Sequence, residues 1–144
     1  MLLIDDDAWD FHLFGANFES EEHAQLYIFE QWEAEPPATA SDDEYSAWEE
    51  RNPTWRLAED LEFHMDSDFV EYPGGIEGVL SQMRCPAERA QVIAKGSAFT
   101  HFIMIGSNPS AIWCDRRSLS DQVEPVTRLP ESTATITYLG KYST

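Results

Sequence analysis

Basic residues are almost missing from the first 80 positions of this 144-residue chain. Arg51 and Arg56 alone stand there against 22 carboxylates, a formal charge of about −20 on that stretch. Residues 81–144 hold five acids and seven Lys or Arg, and the whole chain carries −18. So one-sided a field repels nucleic acid and anionic membrane and selects cationic partners. Cysteine is scarce too: Cys85 and Cys114 cannot build a disulfide framework. Both are expected as reduced, buried, inert thiols, with a paired or reactive role as the alternative. No apolar run approaches the ~18 residues a membrane span needs. Met1 to Ile4 is apolar but meets Asp5, Asp6 and Asp7, without the basic start and longer apolar run of a secretory signal. A cytoplasmic protein is expected.

Catalytic motifs are also lacking. The sequence has no Gly-rich phosphate loop, no His-Glu-x-x-His, no Gly-x-Ser-x-Gly and no Cys-x-x-Cys. The four histidines are scattered at 12, 23, 64 and 101. His64 near Asp66 and Asp68 invites a metal reading. Alternation instead puts the three on one exposed strand face, where a solvated polar stripe is the ordinary outcome. His101, inside an apolar run, reads as a core or rim histidine rather than a base. Consecutive Asp5, Asp6 and Asp7 lack the spaced ligands and bend glycine of a calcium loop. Paired carboxylates for glycoside chemistry are uninformative in so acidic a chain. No catalytic residue, cofactor or metal site is expected.

The chain does have the material of a core, being 42% hydrophobic and 12% aromatic. One domain over residues 1–144 is expected, able to bury roughly two-thirds of its unfolded surface. Phe11 to Phe14, ending at Gly15, reads as a first strand. Ser20 caps a helix with Glu21 and Glu22 in its first turn, and Ala24, Ile28 and Trp32 give it an apolar face up to Pro36-Pro37. Ser41-Asp42-Asp43-Glu44 fits a capping box and opens an acidic helix that stops near Asn52-Pro53. Leu57 and Leu61 fit a short helix. Leu61, Phe63 and Met65 then alternate as a strand with one buried face. Ile76, Val79, Leu80 and Met83 have helical spacing; Pro86 starts a further helix that Gly96 stops. Ala98 to Ile105 is the expected central strand, covered on both faces, with Ala111 to Cys114 forming a hairpin with it. Thr133 to Tyr138 gives a last strand. The fold class is α+β: a mostly antiparallel sheet with helices packed on one side.

The candidate partner-binding surface is the acidic helix together with the segment after it. It comprises Asp42, Asp43, Glu44, Glu49 and Glu50, then Glu59, Asp60, Asp66, Asp68 and Glu71. These ten carboxylates lie within thirty residues, opposed only by Arg51 and Arg56. Such crowding costs stability through self-repulsion, which a cationic partner would relieve; solubility is the competing explanation. Trp48 and Trp55 flank the helix, either as interface anchors or as closures of the core beneath it.

Two stretches resemble the immunity protein 22 family of bacterial polymorphic toxin systems. One is Phe14-Gly15-Ala16-Asn17-Phe18-Glu19-Ser20-Glu21-Glu22 with the aromatic-rich helix after it. The other is Phe63-His64-Met65-Asp66-Ser67-Asp68-Phe69-Val70-Glu71. Residues 11–72 carry the likeness. Phe14 stands where the family is expected to have tryptophan, and the acidic helix near 42–50 is an insertion. The resemblance implies a non-enzymatic inhibitor of a toxin made by the same cell. With the charge pattern, it gives a protein that occludes the active site of a basic, nuclease-like toxin. Alternatives are an acidic adaptor or nucleic-acid mimic and, further off, a carboxylate-based enzyme with a cleft of convergent acids.

Overall fold

The computed structural model describes residues 9–117 and 126–144. The strands and helices, in chain order, are β1 (Asp10–Ala16), α1 (Glu21–Ile28), α2 (Asp42–Arg51), α3 (Arg56–Leu61), β2 (Phe63–Met65), β3 (Val70–Gly74), α4 (Ile76–Leu80), α5 (Pro86–Gly96), β4 (His101–Gly106), β5 (Ile112–Asp115) and β6 (Ile136–Ser143). A 3₁₀ turn, Ser67–Phe69, separates β2 from β3. The main sheet has the order β3-β4-β1-β6 with every pairing antiparallel, and β2 and β5 form a second, two-stranded sheet. The class is α+β.

β4 is central, as its composition predicts. Phe102, Ile103 and Met104 are fully buried, because successive side chains of a strand point to opposite faces and both faces are covered. The same logic corrects the expectation that all helices lie on one side. β1 alternates Phe11 and Leu13 with Phe14 and Ala16, and β4 alternates Phe102 and Met104 with Ile103 and Ile105. Both sets are apolar, so both faces demand cover. Phe14, Ile103 and Ile105 meet α1, α3 and the second sheet. Phe11, Leu13, Phe102 and Met104 meet α4 and α5. Each large side chain buried this way contributes roughly 1.5–3 kcal/mol.

The expected hairpin between residues 98–105 and 111–114 does not form. Both edges of β4 are occupied, by β1 and β3, so β5 crosses to pair with β2. Gly96 lies inside α5, and Ser97 caps that helix in a right-handed conformation. The glycine serves close packing instead: a Cβ there would sit 3.0 Å from Cε1 of Phe102 and 3.2 Å from Cδ1 of Ile76. Gly140, at φ +123°, lies where the β1–β6 register slips between Leu13 and Phe14. That conformation favours glycine. Cys85 is exposed rather than buried, Cys114 is half-buried, and both are free. The Asp5 to Asp7 run lies outside the described residues.

Candidate acidic arm

α1 ends four residues before Trp32. Ser20 caps its start, accepting from His23 N–H at 3.1 Å. Its end is closed by Gln31, whose Nε2 donates to the carbonyl of Gln25 (3.3 Å), which also accepts from Phe29 N–H, and to the carbonyl of Phe29 (3.0 Å). Gln31 and Thr54 then exchange backbone hydrogen bonds of 2.8 and 2.9 Å. This bridge closes the neck of an excursion, residues 32–53, that contains α2. Just below it, Trp55 is buried, and its Nε1 donates to the Ile28 carbonyl at 2.7 Å. Trp55 therefore anchors the neck inside the core and is withdrawn from the partner-binding surface. An indole completes the core at this point and satisfies a helix-end carbonyl as well.

Above the neck, α2 buries none of its residues. A ten-residue helix is marginal by itself in water, so local devices hold it. Ser41 accepts from Glu44 N–H at 3.1 Å. Asp42, Asp43 and Glu44 occupy the first turn and Arg51 the last, complementing the helix dipole. Glu33 ties the returning chain to the extended one. Its carboxylate accepts from Arg51 Nε and Asn52 Nδ2, both at 2.9 Å, and its carbonyl accepts from Trp48 Nε1 at 3.1 Å. The hydrogen bond from Asn52, then that from Arg51, holds the Glu33 carboxyl below its ordinary range. Tyr45 donates to Glu35 at 3.3 Å, and the Glu35 charge foremost raises the phenol's pKa.

An aromatic cluster results. Trp32 and Trp48 lie 5.9 Å apart between ring centroids, and Tyr45 and Trp48 5.5 Å. Trp32 is 59% exposed and Tyr45 38%. A run of water-facing aromatics is unusual on a surface with no partner. Around it stand Glu33, Glu35, Asp42, Asp43, Glu44, Glu49 and Glu50, all exposed. Sequence reasoning missed Trp32, which helical spacing assigned to the apolar face of α1. The only warning was the Glu33–Glu35 alternation after it, which no buried helix continues.

The remaining candidate acids belong to the body of the fold, and several carry internal duties there. Asp60 accepts from the Tyr27 hydroxyl at 2.7 Å. Asp66 accepts from Asp68 N–H at 3.0 Å and so caps the 3₁₀ turn. Glu71 accepts from Gln82 Nε2 at 2.7 Å. Glu59 and Asp68 are exposed. The structure therefore gathers Asp42, Asp43, Glu44, Glu49 and Glu50 with Trp48 on one element and leaves the other five on α3, the turn and β3.

His64, Asp66 and Asp68 do not share a strand face, because β2 ends at Met65. His64 stacks on Trp113, with centroids 5.1 Å apart. No group of three or more ligand-type side chains is placed to hold a metal among the described residues. His101 sits at the rim of the sheet, its Nδ1 2.7 Å from Thr100 Oγ1 and 3.3 Å from the Phe18 N–H that donates to it. The resolved carboxylate shifts, at Glu33, Asp115 and Glu131, are all downward. No helix among the described residues is long and apolar enough to cross a membrane. Comparison with protein-family models, with curated proteins and with solved structures finds no match.

Proposed function

We propose that the chain is an immunity-type inhibitor whose acidic arm docks on a basic, nuclease-like toxin and occludes its active site. The observation that carries this reading is the arm itself. Residues 32–53 bury nothing of α2 in the core, yet they hold Trp32, Tyr45 and Trp48 as an ordered cluster ringed by carboxylates. Aromatic anchors surrounded by charge are how protein interfaces combine slow dissociation with selective encounter. A groove that binds phosphates must be cationic, and a carboxylate-rich projection complements it. That the partner is a toxin rests on the resemblance of residues 11–72 to the immunity family.

The test begins with co-purification of the tagged chain from its native host and identification of the bound protein by mass. A basic toxin is expected, silenced at one equivalent. Reversing Asp43, Glu49 and Glu50 to Lys should slow association about tenfold or more, with raised salt mimicking the loss. Trp48→Ala should instead speed dissociation about tenfold, near 1.4 kcal/mol. An association rate indifferent to both salt and charge reversal would reduce the arm to a solubility device. A bound protein that stays active in the complex would end the inhibitor reading.

A further inference from the structure

Away from the arm, one surface reverses the sign of the molecule. His12 of β1 and Lys141 of β6 are cross-strand neighbours on one sheet face. β5 and residues 126–130 stand opposite, leaving a cavity of about 460 Å³ between. Small-molecule sites measure about 300–1,000 Å³. The far wall is apolar, made chiefly by Ile112, Trp113, Leu129 and Pro130. Trp113 and Leu129 are 43% and 63% exposed, so the wall is open to an entering ligand. Among the described residues no Asp or Glu lines the cavity, although the chain carries −18.

Its two cations have different work. Arg128 is committed to the wall, save for a buried Nη1 that has no hydrogen-bond partner among the described residues. It pairs with Asp115 through Nε at 2.7 Å and Nη2 at 3.0 Å, and its guanidinium lies 4.0 Å from the centroid of the Phe63 ring. Lys141 is exposed, and no carboxylate among the described residues forms an ion pair with it. His12 is buried, with Nδ1 2.8 Å from the Tyr138 hydroxyl. Burial first, and Lys141 second, lower its pKa to about 4, so the ring is uncharged at neutral pH. Lys141 is thus the ammonium at the cavity left to meet an anion.

We propose that this cavity binds a small amphipathic anion. Its apolar body lies against Trp113 and Leu129, and its single carboxylate reaches the Lys141 ammonium. The apolar wall supplies affinity through buried area, and the ammonium supplies the choice of charge. Nothing in this site depends on the acidic arm or on the identity of its partner.

The experiment titrates the full chain with 1-naphthaleneacetate and with its neutral amide, followed by two-dimensional amide NMR including the Trp113 indole N–H. Both probes should saturate with shifts centred on Trp113, Leu129 and Lys141, the acid binding about fivefold more tightly or better. Lys141→Gln should erase that preference while leaving the amide's affinity unchanged. Trp113→Ala should weaken both probes about tenfold. Both side chains are exposed, so both variants keep the fold. No saturation at millimolar probe, equal binding of acid and amide, or a preference that survives Lys141→Gln would each overturn the proposal.

Discussion

The arm and the sheet solve opposite problems with the same aromatic residue types. In β1 and β4 the rings of Phe11, Phe14 and Phe102 are fully buried, and removal from water is what holds the strands together. In α2 no residue is buried, and Trp48 and Tyr45 are held by hydrogen bonds to Glu33 and Glu35 and by each other's rings. Stability is therefore concentrated in the sheet, and the groups free to meet another molecule are concentrated in the arm. Trp55 sits at the boundary, its indole in the core and its N–H on the last turn of α1.

The sharpest break in that comparison comes from the core. Phe102→Ala should cost about 3–5 kcal/mol in urea unfolding, by lost transfer energy plus a cavity. Trp48→Ala should change global stability by less than about 1 kcal/mol. Similar losses from the two would mean that the arm is part of the cooperative core.

A smaller effect is expected at the boundary. Trp55→Phe keeps most of the apolar volume but strands the Ile28 carbonyl, a loss of about 1–3 kcal/mol. Hydrogen exchange should show the Gln31–Thr54 bridge opening with it. An unchanged bridge would separate the neck from the core.

The body also has a pH signature of a different kind from the arm, a buried histidine where the arm has a carboxylate held low. Buried His12 binds its proton only near pH 4 when folded, against an ordinary value of 6.5. The unfolded chain therefore holds more protons in that window, and stability falls as pH drops from about 6.5 toward 4. Above pH 7, His12→Gln should be the less stable protein by about 1 kcal/mol, through the weakened bond to Tyr138. The gap should close on acidification, because the variant has no imidazole to protonate. Urea midpoints at a series of pH values measure it, and a gap independent of pH would contradict a buried neutral ring.

The smallest effect is local. Ser41→Ala removes the α2 cap and should raise the helix's own opening by about 1 kcal/mol in amide exchange. The global urea midpoint should barely move.

Wherever one short stretch of residues sufficed, the sequence was legible. Ser20 and Ser41 act as caps, Pro86 opens α5, and the apolar run through Phe102 and Ile103 is the covered central strand. These features arise from hydrogen-bond chemistry and side-chain period within a few residues. The α+β class and the acidic character of residues 42–50 were legible for the same reason.

What only tertiary structure decided were the choices between partners distant in sequence. Two apolar faces on β1 and β4 needed cover from both sides, and helical spacing in α4 and α5 does not say which face they take. β5 pairs with β2 because β4 has no free edge. Helical spacing put Trp32 in the core, and Trp55 stood open between core and interface; the Gln31–Thr54 bridge put the first outside and the second inside. The cavity beside Lys141 joins β1, β5, β6 and residues 126–130, which no local pattern connects. Composition and period act along the chain, whereas burial is settled by which surfaces remain uncovered when the chain closes on itself.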